Sequence, residues 1–328
     1  MYGAAYLLSL RFILSNERAF GLPEKLPAMN VYQHTLAAPI LCTGTGLHTG
    51  TWVRMVLHPL SAGSGIRFVR SDISDRDNSI ALGITQVVDS RRGTKIANTA
   101  GVQINTVEHL LSALAAYGVD NVQIDVDGPE IPAMDGSATV FADLLGRVGL
   151  VRQAAPRKYI KVLQELNIKD GVSHACFTPH DRFEIDAGIE YDNPVIGEQT
   201  CKFDVNPAAF AGQIARARTF ALRAEVDSLQ ASGKAAGGSL DNCLVVGEKS
   251  VENKGGLRFD DEFARHKALD ALGDLCLAAA PLLCRYRVRR AGHWINHLAV
   301  KQLLADPTKW TITTLMPTTE AASFHAAQ

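Results

Sequence analysis

The ten-residue stretch RHKALDALGD, Arg265 to Asp274, sets one imidazole and two carboxylates four residues apart: His266, Asp270 and Asp274. On a helix that spacing stacks them in a column on one face. Lys267 lies beside the column, and Leu269, Leu272, Leu275 and Cys276 fall on another side as core. The same column serves equally as a solvated polar face with ordinary pairing between turns. It gains meaning only if other residues of ligand type converge on it. Three further stretches carry such residues. TVEHLL places Glu108 next to His109, AGHWINH places His293 just after a glycine, and RARTF places Thr219 after Arg216 and Arg218. His109, His266 and Asp270 form a set of two imidazoles and a carboxylate, which suits zinc at a catalytic site where the fourth position is left for water. Glu108 is then a general base for that water. His293 is a general acid, with Asp274 to orient it and raise its pKa. Each also has a plain structural role open to it: His109 as a satisfied core histidine, Glu108 as a helix-cap carboxylate, His293 as a turn residue. Spacing alone does not bring segments this far apart into contact.

The elements that must position these groups are legible as patterns. TWVRMVLHPL and SGIRFVRSDI alternate apolar and polar residues, as half-buried strands do. NTVEHLLSALAAYGVDN carries a helical stripe of Val107, Leu110, Leu111 and Leu114, with Gly118 as its stop and Asn105 three residues before Glu108 in the manner of a capping box. VQIDVDG reads as a strand, PEIPAMDGSA as a loop and ATVFADLLGRVGL as a helix. Residues 151–158, VRQAAPRK, are the best boundary, because the pattern restarts after them. YIKVLQELNIKD, HACFTPH and RFEIDAGIEY read as strands, and NPAAFAGQIARARTF as a helix running into a loop. FDDEFARHKALDALGDLCLAA is the strongest helix, and RVRRAGHWINHLAVKQLLAD a strand, a turn and a last helix. Strands followed by helices in two successive halves predict an α+β fold. The expected divisions are an extension over 1–28 outside the core, a first domain over 29–153 and a second over 154–328.

Composition narrows the class. The chain has 328 residues, 47% hydrophobic and 20% charged, which suits a soluble globular protein with a substantial core. A formal net charge of -1 gives no basic excess for nucleic acid, so an anionic ligand must be held by local Lys and Arg. The six cysteines are scattered without a CxxC pair, as expected of buried thiols in a reducing compartment. MYGAAYLLSLRFIL is interrupted by Arg11, lacks a basic start and a cleavage site, and is too short to span a bilayer. No other transmembrane-length apolar run occurs, which predicts no stable membrane insertion.

Six blocks, GTGLHTG, TVEHLLSAL, VDGPEIPAMDGSA, ARTF, GLRFDDEFARHKALDALGDL and the Gly-His of AGHWINH, stand in an order that resembles the UDP-3-O-acyl-N-acetylglucosamine deacetylase family over about residues 33–305. The resemblance implies a cytoplasmic, monomeric zinc hydrolase that removes the N-acetyl group of an acylated UDP-sugar in lipid A synthesis and releases acetate. It implies two similar domains, each a small mixed or antiparallel sheet packed on helices, with the active site between them. It makes His109, His266 and Asp270 the zinc ligands, Glu108 the base, His293 the cationic partner and acid, and Asp274 its support. Thr219 matches the residue that helps polarise the scissile carbonyl, and Lys267 a diphosphate contact. Glu190 and Tyr191 in GIEYDNP match a uridine-binding stretch, and Phe220 lines the cleft. The apolar hairpin-like stretch CLVVGEKSV is the expected passage for the acyl chain. His48 in GTGLHTG is expected near the cleft as a structural turn residue, and Asp135 in AMDGSA, a third carboxylate by type, is expected in a turn or cap role. The chain departs from the family where Gly-His is followed by WINH in place of a pattern closer to xLNN. His297 there becomes a second candidate for the acid.

Overall fold

The computed structural model describes residues 30–231 and 235–316; the extension expected over 1–28 lies outside them. The chain opens with strands β1 (Tyr32–Leu36), β2 (Ile40–Thr45), β3 (Trp52–Pro59), β4 (Ile66–Arg70) and β5 (Ser79–Ala81). Short strands β6 (Val87–Asp89), β7 (Lys95–Ala97) and β8 (Gln103–Ile104) lead to helix α1 (Glu108–Tyr117) and β9 (Val122–Val126). Helix α2 (Thr139–Val148) and β10 (Leu150–Pro156) follow. Five strands order as β2-β3-β9-β4-β5, antiparallel except for the β4/β9 pair. Alternation along β3 buries Val53, Met55 and Leu57 and turns Trp52 and Arg54 to solvent. Strand β10 pairs antiparallel with β1, so the boundary expected at 153/154 falls inside a paired strand.

The second sheet is mixed. It comprises β11 (Lys158–Val162), β12 (Leu166–Asp170), β13 (Ser173–Pro179), β14 (Phe183–Glu190), β15 (Glu198–Asp204), β18 (Leu282–Arg289) and β19 (Trp310–Thr314). Strand β18 is its centre, parallel to β14 and β11 and antiparallel to β13. Between them the chain forms the parallel pair β16 (Phe220–Leu222) and β17 (Leu244–Val246), helix α3 (Arg223–Ala231) and helix α4 (Glu262–Leu275). Helix α5 (His293–Ala305) follows β18. The fold is α+β, as the order of patterns predicts. The stretch expected as a helix from Asn206 is instead a capped single turn, with Asn206 Oδ1 accepting from Ala209 N, followed by a π-type turn over Phe210–Ile214.

Helices α1 and α4 cross at the middle of the molecule. Leu110, Leu111 and Leu114 of α1 join Val53, Phe68, Val122 and Ile124 of the first sheet in the core. Leu269, Leu272 and Leu275 of α4 join Ile185, Ala187 and Tyr286 of the second. The crossing is close because Gly273 lies against the Glu108 backbone. Gly118, at φ 77°, ends α1 in the left-handed conformation expected of it. The cap at the other end differs from expectation. Val107 is the N-cap and no side chain caps the helix, because the Glu108 carboxylate is turned inward and held by the Thr94 backbone. Thr106 just before it adopts φ 58°, a costly conformation for a residue with a branched Cβ. Its hydroxyl is fixed by donating to Glu130 Oε1 at 2.8 Å.

Candidate metal centre and active site

His109 follows Glu108 at the start of α1, His266 and Asp270 sit one turn apart on α4, and all three are at least 95% buried. One donor atom from each lies within 4.8 Å of the others. His109 Nε2 is 3.6 Å and His266 Nε2 3.4 Å from the same atom, Asp270 Oδ1. That oxygen is buried and accepts no hydrogen bond. His266 Nδ1 lies 3.0 Å from Ala217 O, so it carries the hydrogen and Nε2 presents its lone pair. Burial, followed by the neighbouring His266, pushes His109 down to about 3, and burial also lowers His266. Neutral imidazoles and an ionised carboxylate are the ligand forms. Burial works against the Asp270 charge, but His266 and then Lys267 hold its carboxyl well below the usual range. An orphaned buried oxygen facing two ring nitrogens fits a divalent ion, and the donor types fit zinc.

Glu108 stands beside this set. Its Oε2 accepts the Thr94 backbone N–H at 3.0 Å, and its Oε1 lies 3.8 Å from His293 Nε2. Burial, against the pull of His293 and with the repulsion of Asp270 and Asp274, pushes its carboxyl up to about 7. Gly93, at φ 141°, leaves room for Oε1, since a Cβ there would stand 2.8 Å from it. His293 is the first residue of α5, where the helix dipole disfavours an imidazolium. Burial also opposes its charge, yet Asp274 and then Asp270 raise it to about 9.

Asp274 is fully buried and accepts at both oxygens. Oδ2 takes His293 Nδ1 at 2.9 Å and Asn296 Nδ2 at 2.9 Å. Oδ1 takes Thr94 Oγ1 at 2.5 Å and His297 Nε2 at 3.1 Å. Burial works against its charge, but His293 and His297 hold its carboxyl far below the usual range. Thr94 and Asn296 escape a reading by residue type. RRGTK has no periodicity to place its threonine, and Asn296 is oriented by Tyr286, whose OH donates to its Oδ1 at 2.9 Å, a partner ten residues earlier on a strand. Glu130, also fully buried, is a third such residue. It accepts from the backbone N–H groups of His48 and Thr49 and from the hydroxyls of Thr49 and Thr106, tying the GLHTG turn to the start of α1.

A cavity of about 340 Å³ opens over the cluster, lined by Glu108, His109, Thr219, His266, Lys267, Asp270 and His293, with Tyr191, Phe220, His48, Arg91 and Arg92 further out. Thr219 is pinned by its backbone, donating to Gly136 O and accepting from Leu244 N, both at 2.8 Å. The adjoining Arg218 is anchored on buried Glu262 at 2.8 Å. Lys267 Nζ donates to Asp270 Oδ2 at 2.9 Å and sits 5.3 Å from the Phe220 ring centroid. Tyr191 meets Phe220 edge-on at 5.8 Å. An apolar wall continues along Ala221, Val226, Leu240 and Val245. The CLVVGEKSV stretch is a hairpin there, with Val246 bridged to Val251.

Two expected residues stand elsewhere. Glu190 does not line the cavity; it is exposed and paired with Arg290 at 2.7 Å. Glu190 is the last residue of β14, whereas Tyr191 lies just beyond the strand and turns into the cavity. His297 is buried behind Asp274 and does not line the cavity. Asp135 is a turn residue, as expected: it accepts from Ser137 and pairs with Arg258 at 2.8 Å. His48 does face the cavity, its Nε2 held 3.0 Å from Arg92 O. All six cysteines are unpaired.

A family described as UDP-3-O-acyl N-acetylglycosamine deacetylase matches residues 33–305. The UDP-3-O-acyl-N-acetylglucosamine deacetylase of Phenylobacterium zucineum (strain HLK1) is 43% identical over 284 residues, covering 87% of this chain and 97% of that protein. The like-named proteins of Anaeromyxobacter sp. (strain Fw109-5) and Neisseria gonorrhoeae (strain ATCC 700825 / FA 1090) are 44% and 40% identical, covering 84% and 85% of this chain and 89% and 92% of their own lengths.

Proposed function

Because this chain belongs to the UDP-3-O-acyl N-acetylglycosamine deacetylase family, we propose that it hydrolyses the N-acetyl amide of UDP-3-O-[(3R)-3-hydroxyacyl]-N-acetylglucosamine. Acetate and a free 2-amino sugar nucleotide are the products, in the committed step of lipid A synthesis. The chain is a deacetylase, an amide hydrolase. The observation that carries its chemistry is the unpartnered Asp270 Oδ1 facing two imidazoles beside Glu108. His109, His266 and Asp270 would hold zinc, whose chemistry when bound is Lewis-acid polarisation of the amide carbonyl and a lowered pKa for water.

The chain's own residues divide the rest. Glu108 accepts the proton of the attacking water, and the Thr94 N–H on Oε2 leaves Oε1 free to do so. The Thr219 hydroxyl, on a backbone tied at both sides, donates to the amide oxygen as it gains charge, a role worth about 2.7–4 kcal/mol. His293, charged and aligned by Asp274, stabilises that oxygen and then gives its proton to the departing amine. Lys267 faces the diphosphate while it neutralises Asp270, and Tyr191 and Phe220 take the uridine side of the cleft. The acyl chain lies along the Ala221, Val226 and Val245 wall, where each buried methylene is worth about 0.8 kcal/mol. Only Glu190 lacks support from its position, and it would contact the nucleotide only beyond the cavity rim.

The chain is read as two α+β units over 29–153 and 154–328, acting as a cytoplasmic monomer. Among the described residues no helix is long and apolar enough to cross a membrane. The test is acetate release from the acylated UDP-sugar by the purified protein, before chelation, after it, and after stoichiometric zinc is returned. Activity lost and regained establishes reaction and metal together. Full activity after complete chelation refutes the metal; none in any state refutes the substrate.

A further inference from the structure

Glu108 and His293 act on the two sides of the same amide, yet they belong to helices 185 residues apart in the chain, so something must set their relative position. One residue touches both arms. The Thr94 backbone N–H donates to Glu108 Oε2 at 3.0 Å, and its hydroxyl donates to Asp274 Oδ1 at 2.5 Å. Asp274 in turn holds His293 Nδ1 at 2.9 Å through its other oxygen. Thr94 has no exposed surface and follows Gly93, whose lack of a Cβ lets this turn approach Glu108.

His297 completes the arrangement. Its Nε2 lies 3.0 Å from Thr94 Oγ1 and 3.1 Å from Asp274 Oδ1. Thr94 has one hydroxyl hydrogen. Given to Nε2, it would leave a bare nitrogen and the Asp274 oxygen facing each other as two acceptors. Given to Asp274, it lets Nε2–H donate to both oxygens. The second arrangement satisfies every atom on that side, and it makes His297 Nδ1, which is buried without a partner, a bare nitrogen and not a stranded N–H. The carboxylate then receives four donors, which fills its lone-pair sites.

We propose that Thr94, backed by the Nε2–H of His297, is a positioning residue that holds the base Glu108 and the Asp274–His293 pair in one fixed relation. The proposal rests on the roles given to Glu108 and His293 above. Thr94→Val keeps the backbone donor to Glu108 and the shape of the side chain but removes the hydroxyl. In the zinc-loaded enzyme we expect kcat to fall about 10- to 100-fold, the range of one hydrogen bond to a charged group, with KM within about threefold and metal content unchanged. Thr94→Ser should recover most of the loss. In a His293→Gln background the same Thr94→Val change should cost less than about twofold more, because both act through one arm. Equal losses in the two backgrounds, an unaltered kcat in Thr94→Val, or no recovery in Thr94→Ser would overturn the proposal.

A second reading needs no variant to fold. Nitrogen-15 NMR of the histidine rings in the wild-type zinc protein should find His297 with hydrogen on Nε2 and none on Nδ1; the opposite tautomer overturns the arrangement. A wild type without acetate release would refute the proposed function, whereas an active wild type whose Thr94→Val variant is equally active would refute this inference alone.

Discussion

Gly273 offers the sharpest test of how the fold sets the chemistry. A Cβ at this position would stand 2.1 Å from Glu108 O, 2.8 Å from its carbonyl carbon and 2.9 Å from its Cα, all backbone atoms that cannot rotate away. A carbon needs about 3.3 Å from a carbonyl oxygen, so Gly273→Ala must separate α1 from α4 by about 1 Å at their crossing. The residues at that point are Glu108 and His109 on one helix and Asp270 and Asp274 on the other, so the strain falls on the ligand set. Overpacking of this kind costs about 1–3 kcal/mol of stability. A misplacement of about 1 Å at a reacting centre costs on the order of 100-fold in rate. The expectation is a folded protein with a modestly lower Tm, weakened zinc affinity and kcat/KM reduced about 100-fold. Gly212→Ala is the control, because a Cβ there meets nothing within 4 Å. Zinc titration against a competing chelator, thermal melts and acetate release are measured on all three proteins. Native zinc affinity and native turnover in Gly273→Ala would refute the claim that this contact sets the distance between base and ligands.

Three further outcomes are expected. Glu108→Ala should keep zinc at wild-type stoichiometry and lose most turnover, about 100-fold or more for a general base; retained turnover removes it from that role. His266→Ala should lose the metal, and full zinc occupancy by elemental analysis would take His266 out of the ligand set. The pH profile should be bell-shaped. Glu108 must be ionised, so activity rises as pH passes its pKa, about 7 without metal. His293 must be protonated, so activity falls as pH passes its value of about 9. A bound dication draws both downward, which places the rising limb below 7 and the falling limb below 9. A rate still climbing above pH 10 would exclude His293 as the acid.

The elements that carry the site were legible because their periods are strong. Leu110, Leu111 and Leu114 mark the buried stripe of α1, and the four-residue column of His266, Asp270 and Asp274 marks the polar side of α4. The candidate ligand set was legible as residue types, and literal family blocks singled it out from other histidines and carboxylates. What surrounds the set was not. The donors to Asp274 come from residues 94, 293, 296 and 297, and no local pattern announces that a turn between two short strands meets the first two turns of α5. Asn105 and Glu108 show the same gap from the other side. Their spacing fits a capping box, but burial beside Asp270 gives the carboxylate a different partner. Tyr191 and Glu190 were read together from one stretch, and the end of β14 between them separates them, with Glu190 exposed and Tyr191 lining the cavity.

Two carboxylates in one buried site are given opposite work in the proposed mechanism, and the number of their donors is what separates them. Asp274 is reached by four hydrogen-bond donors, two of them imidazoles, and its charge is held in place at any ordinary pH. A carboxylate so saturated is a poor base, because taking a proton would break bonds it already makes. Glu108 is equally buried but receives one backbone N–H, with its other oxygen 3.8 Å from the nearest cation. Its charge is poorly compensated, so its carboxyl rises to about 7 and it can accept a proton near neutrality. Environments that push two like groups apart in this way assign the acid–base roles. His293 sits between them, bonded to the saturated carboxylate and facing the unsaturated one. In the proposed mechanism it therefore keeps its charge where the departing amine needs a proton, and Glu108 keeps its vacancy where the water must lose one.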